Sequence, residues 1–86
     1  MVKYKILFSR SAEKALKKLP KQDLRRVLAK LESLTIDPFP DGCRKLEVES
    51  NAFRVRVGVY RIIYDVIGNE LTVVVLKIAH RKDAYR

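Results

Sequence analysis

The sequence predicts an α+β fold in which a two-helix hairpin covers one face of a small sheet. Three features lead there. Residues 2–8 alternate with a period of two, residues 12–34 switch to apolar spacings of three and four, and from residue 46 onward the pattern returns to strands with no further helical stretch. The order expected is an N-terminal strand, two helices, then an antiparallel three-strand meander.

Val2, Tyr4, Ile6 and Phe8 fall on one side of a first strand and Lys3, Lys5 and Leu7 on the other. Ser9 or Ser11 is placed to cap a short helix whose apolar face is Ala12, Ala15, Leu16 and Leu19, and Pro20 interrupts it. The second helix carries the stronger stripe, Leu24, Val27, Leu28, Leu31 and Leu34, with Lys21, Arg25, Arg26 and Lys30 on the remaining surface. Thr35–Cys43 holds Asp37-Pro38, Pro40 and Asp41-Gly42, a density of turn residues that marks an ordered connecting loop.

Phe53, Val55 and Val57 then alternate with Arg54 and Arg56, so one face of that strand is apolar and the other cationic. Gly58 marks a bend or bulge before Tyr60–Ile67, and Gly68-Asn69 supplies a hairpin turn into Leu71–Ile78. That last run is apolar on both faces, as a strand covered on both sides is.

At 86 residues the chain has room for one domain, 1–86, with one modest core, and its 48% apolar and 34% charged residues are a globular balance. Nineteen Lys and Arg against ten Asp and Glu give a net charge of +9, whose self-repulsion asks for a polyanionic or acidic partner, although a Lys-decorated soluble surface also accounts for charge alone. Cys43 is the only cysteine, which rules out an intrachain disulfide and suits a reducing compartment. No run reaches transmembrane length and Met1–Phe8 lacks the continuous apolar stretch of a signal peptide, so a cytoplasmic location is expected.

Arg54 and Arg56 share a strand face at a spacing of about 7 Å, close to that of successive phosphates along a nucleic-acid strand. Arg61 follows just past the bend. Arginine stays protonated at neutral pH, so it cannot serve as a base, but it can neutralise charge developing on a phosphate. Either set also reads as solvent-facing surface, with Arg61 paired to Asp65 or Glu70. The segment 80–86 holds His80, the only histidine, and imidazole is the side chain suited to proton transfer near neutral pH; it also holds Tyr85, which can stack on a base or plug the sheet's end. One histidine and one cysteine do not make a zinc site, Glu47 and Glu49 have no matching acidic cluster, and no glycine-rich phosphate loop is present. No metal or other cofactor is expected.

The segments "YKILFSRSAEKALKKL", "FRVRVGVYRIIYDV", "GNEL" and "TVVVLKIAHRKDAYR" together resemble the RelE/ParE toxin superfamily across essentially the whole chain, with "RVGVYRIIY" and "HRKDAY" the most specific parts. The resemblance to the RelE-like branch implies a toxin of a type II toxin–antitoxin system: a ribosome-dependent endoribonuclease that cuts messenger RNA without metal, through attack of the ribose 2′-hydroxyl on its own 3′-phosphate. Taken with the reading of the residues, it leads to an expected site with catalytic Arg56, Arg61, His80, Arg81 and Tyr85 and substrate-binding Lys45, Arg54 and Lys82. Arg61 matches the family's arginine on the scissile phosphate, Arg81 the arginine of phosphate or leaving-group stabilisation, and Tyr85 the tyrosine that orients the nucleotide. Arg54 and Arg56 stand where the best-known member has two lysines; a desolvated lysine can act as a base and an arginine cannot, and His80 is the substitute this sequence offers.

Two other readings share the fold: a ParE-like inhibitor that acts on DNA gyrase by protein contact, and an inactive relative that only binds antitoxin or nucleic acid. The convergent Arg, His and Tyr set favours the ribonuclease. The resemblance further implies a cognate acidic antitoxin wrapped around the toxin, with the ribosome and mRNA as the other partners and operator DNA reached only through the antitoxin complex.

Overall fold

The computed structural model describes residues 3–46 and 52–80. Strand β1 (Lys5–Phe8) leads into helix α1 (Arg10–Lys18) and helix α2 (Lys21–Ile36); the two-residue strand β2 (Arg44–Lys45) precedes β3 (Ala52–Val57), β4 (Tyr60–Ile67) and β5 (Thr72–His80). Among the described residues these strands form one sheet in the order β1-β5-β4-β3-β2. The meander β3-β4-β5 is antiparallel as the sequence predicts, and β1 joins its far side parallel to β5. The α+β architecture therefore stands, with β2 as an added edge.

Ser9 is the N-cap of α1: its hydroxyl accepts from the Ala12 N–H at 3.0 Å, which satisfies one of the donors a helix start leaves open. The same hydroxyl donates to the Leu76 carbonyl at 2.6 Å, and the Ser9 N–H reaches the Val75 carbonyl at 2.9 Å. Helix α1 is thus pinned to the middle of β5. Pro20 stands at the start of α2, where its fixed φ and missing N–H cost nothing.

Both helices cover the same face. Ala12, Val27, Leu31 and Leu34 pack on Val55, Ile62, Tyr64, Val73, Val75 and Ile78 to make the core. Leu28, which the sequence places on the apolar stripe, lies off it and is exposed; the buried stripe of α2 is Val27, Leu31, Leu34 and Thr35. Tyr64 is fully buried, and its hydroxyl donates to the Pro38 carbonyl at 2.7 Å, so the loop after α2 is tied to the centre of the sheet. Burial raises the Tyr64 pKa strongly, with nearby Cys43 and Asp37 adding to it.

Gly58 is not a bulge inside one strand. It has φ +58° and is the first residue of the two-residue turn Gly58-Val59 that joins β3 to β4, the place where a hairpin turn of this kind takes glycine. The β4–β5 connection is a short 3₁₀ turn over Gly68–Glu70, followed by Leu71 at φ 48°. That left-handed residue has a use, since its carbonyl accepts the Lys5 N–H at 2.7 Å and so starts the parallel pairing of β1. The irregularity lies in β5 instead. Ile63 pairs with Lys77 and Tyr64 with Val75, leaving Leu76 as an extra residue in the ladder. No helix among the described residues is long and apolar enough to cross a membrane.

Candidate functional site

Residues directly opposite one another in an antiparallel pair share a face of the sheet, so the register assigns the faces. Val55 pairs with Ile62, Phe53 with Tyr64 and Val57 with Tyr60 on the side that the helices cover. The alternate positions point the other way. There Arg56 pairs with Arg61, Arg54 with Ile63, and Arg44 of β2 with Arg54, while Lys77 of β5 stands opposite Ile63. Four guanidiniums and one ammonium therefore share the face without helices, with the Asp65 carboxylate further along β4 on the same face.

Two of these contacts are arginine directly across from arginine. Like charges in that position destabilise a sheet, and their Cα atoms are only about 4.5–5.5 Å apart. Arg44 and Arg56 are exposed, whereas Arg54 and Arg61 are partly buried among their neighbours. Beyond Arg54 the described residues place no strand on the outer side of β3. At that edge lies a cleft of about 440 Å³ lined by Lys30, Asp41, Gly42, Arg44, Arg54, Val55 and Arg56. Four cations and one carboxylate line it, a setting for phosphate oxygens rather than for an apolar ligand.

The predicted residues do not all meet. Arg54, Arg56 and Arg61 share the open face. Lys45 pairs with Phe53 and so sits on the helix side of the edge, apart from them. His80 pairs with Tyr60, also on the helix side, with the two ring centroids 5.5 Å apart and the planes at 83°. The sheet itself thus separates His80 from the three arginines, and the end of the sheet that His80, Arg56 and Arg61 all lie near is the one closed by the Gly58-Val59 turn. Arg81, Lys82 and Tyr85 lie outside the described residues.

Behind that end, Tyr60 donates its hydroxyl proton to Asp23 of α2 at 2.9 Å. This bond, then partial burial and the Asp23 charge, raise the Tyr60 pKa. The guanidinium of Arg26, one turn further along α2, lies over Gly58: a Cβ on that glycine would come within 3.4 Å of it.

Arg44, Lys77 and Lys30 add to this charge from outside the segments whose pattern points to it. Lys77 is the one charged residue inside Thr72–His80, which is a visible signal; the partnership of Arg44 and Lys30 depends on β2 and on the helix–sheet crossing, which no local pattern encodes. Among the described residues no three His, Cys, Asp or Glu side chains gather in a way that could hold a metal ion.

Residues 6–85 match the family described as the ParE toxin of type II toxin–antitoxin systems, parDE. The chain is 32% identical over 84 residues to toxin RelG of Mycobacterium tuberculosis, covering 96% of this chain and 97% of that protein. It is 31% identical over 85 residues to toxin RelE3 of Methanocaldococcus jannaschii, 94% of each being covered. Among solved structures, the archaeal RelE–RelB complex from Pyrococcus horikoshii OT3 is similar with a TM-score of 0.82 and 32% identity, over 94% of this chain and 97% of that one.

Proposed function

The chain belongs to the ParE toxin family of type II toxin–antitoxin systems, within the RelE/ParE superfamily, and on that premise we propose that this toxin is a ribosome-dependent endoribonuclease. The observation that carries the reading is the pair of arginine–arginine contacts on the open face, Arg44 with Arg54 and Arg56 with Arg61. A fold that sets like charges against each other on its exposed ladder gains from an anion between them. A strand of RNA supplies one phosphate after another at a matching interval.

The reaction asks little covalent chemistry of the protein. The ribose 2′-oxygen attacks the adjacent phosphorus as its proton leaves, the bond to the 5′-oxygen of the next nucleotide breaks, and that oxygen takes a proton. The products are a 2′,3′-cyclic phosphate and a free 5′-hydroxyl. Arg61 and Arg56 hold the scissile phosphate and neutralise the charge that grows on its equatorial oxygens, and Arg54 takes the neighbouring phosphate. His80 carries a proton from the end of β5, with the RNA bent round the end of the sheet to reach it. Arg81, Lys82 and Tyr85 keep the roles that the family resemblance implies.

Ribosome dependence is supported by where the remaining charge lies. Residues 10–36 carry eight basic side chains against three acidic ones, and Arg10, Lys14 and Lys18 of α1 border a shallow hollow of about 510 Å³. This surface belongs to the helical layer, on the other side of the molecule from the arginine ladder. One single strand in the site does not reach both, whereas structured RNA on several sides does. An antitoxin is the other partner. The Pyrococcus horikoshii relative was solved in complex with its RelB, and the net charge of +9 suits an acidic segment here.

The test is to incubate the purified protein with programmed ribosomes and map the 5′ ends of the mRNA, with Arg61→Ala alongside. Cuts that require ribosomes and fall by about 10²–10³ in kcat with Arg61→Ala support the assignment. Stalled gyrase–DNA complexes without RNA cuts would overturn it in favour of gyrase inhibition.

A further inference from the structure

The arginine ladder and His80 lie on opposite faces, yet one residue touches both. Tyr60 precedes Arg61 in β4 and stands directly across from His80 in β5. Its ring meets the imidazole edge-on at 5.5 Å, and its hydroxyl is committed to Asp23 at 2.9 Å. The phenol is thus held at two points, by α2 at its tip and by the ladder at its base, and cannot rotate without losing one of them.

Arg56 and Arg61 stand directly opposite one another one pair before the Gly58-Val59 turn, so two like charges share the hairpin end. On the helix side α2 bears on the same place twice, through the Asp23–Tyr60 bond and through the Arg26 guanidinium over Gly58. Asp23 and Arg26 share with Val57, Gly58, Val59 and Tyr60 the lining of a hollow of about 130 Å³ between α2 and the turn.

We propose that Tyr60, tied to Asp23, is a positioning residue that holds Arg61 and His80 in one geometry from behind the hairpin end. It touches no substrate and acts through its two neighbours. The inference rests on the ribonuclease reading for its consequence, but its physical content can be measured without RNA.

The experiment pairs Tyr60→Phe, which keeps the ring and removes the bond, with Asp23→Ala, Asp23→Asn and the double variant Tyr60→Phe/Asp23→Ala. In the purified protein, NMR follows the Arg61 Nε–H and the His80 ring; on programmed ribosomes, kcat and KM are measured separately. Tyr60→Phe and Asp23→Ala are expected to move both sets of resonances and lower kcat by about tenfold to a hundredfold with KM little changed, the scale of a small displacement at a reacting centre. Asp23→Asn, which keeps an oxygen acceptor, restores both readouts, and the double variant is no worse than either single one because a single bond is removed. Unchanged resonances in Tyr60→Phe, or a loss confined to KM, would overturn the proposal. If the wild-type protein cuts no RNA, the enzymatic reading falls while the resonances still decide whether Tyr60 positions these groups.

Discussion

The two faces of β3 and β4 are written in the same residues, taken alternately, and have opposite physical characters. On the helix side Val55, Ile62 and Tyr64 are buried with the α2 residues Val27, Leu31 and Leu34, and the cross-strand neighbours are complementary. On the open side Arg56 faces Arg61 and Arg44 faces Arg54. One face stabilises the fold by removing apolar surface from water; the other sets like charges opposite one another, which the proposed function reads as charge available to an anion. Substitutions at neighbouring positions of one strand are therefore expected to separate folding from binding.

The largest effect belongs to the covered face. Ile62 is fully buried at the centre of β4, and Ile62→Ala should lower the unfolding free energy by about 2–5 kcal/mol, measured by urea titration, since both transfer and cavity terms are lost. Tyr64→Phe comes next. It removes only the hydroxyl, but leaves the Pro38 carbonyl without that donor, at a cost of about 1–3 kcal/mol. This variant also has a pH signature. The folded state holds the phenol neutral beyond its ordinary value of 10.0, so the associated stability is complete below pH 10 and is lost as pH rises above it. Alkaline melting curves should fall more steeply for the wild type than for Tyr64→Phe, and parallel curves would show that this hydroxyl does not carry the linkage.

How far the sequence reaches differs between the faces as well. Period-two alternation in residues 53–57 is enough to put Arg54 and Arg56 together opposite an apolar side, and the helical spacing of Val27, Leu31 and Leu34 is enough to find the face that covers it. The position of His80 is not legible in that way. Counting by twos from Val73 and Val75 along β5 would place His80 on the open face with the arginines. The extra residue at Leu76 reverses the count, so that Ile78 and His80 fall on the helix side. What seats this irregularity is Ser9, 67 residues earlier in sequence, through its hydroxyl on the Leu76 carbonyl. A contact that distant leaves no trace in local periodicity, and the same is true of the parallel pairing of β1 with β5.

Ser9→Ala is the corresponding test of how the two faces are kept in register. Loss of the cap should cost about 1 kcal/mol, within the range of 0.5–2 kcal/mol seen for helix caps. The sharper outcome is local: amide resonances of Leu76–His80 should shift more than those of β3. If instead β5 is undisturbed and only α1 frays, Ser9 serves the helix alone and the bulge is held by the ladder itself.

The smallest expected effect on stability is the one that bears most on the comparison, because its sign is opposite to the others. Arg56→Ala removes one member of a like-charged pair on an exposed part of β3, so the fold should become more stable by about 0.2–1 kcal/mol. The same change removes a phosphate contact. Binding of a non-cleavable single-stranded DNA oligonucleotide should weaken, and the slope of log affinity against log salt should become shallower by about 0.7, the value for one phosphate contact fewer on a single strand. Stability and affinity moving in opposite directions at one residue is what a binding face predicts and an ordinary solvated surface does not. A variant whose melting temperature and salt slope both stay where they were would mean that Arg56 is decoration, and the case for the open face would then rest on Arg54 and Arg61 alone.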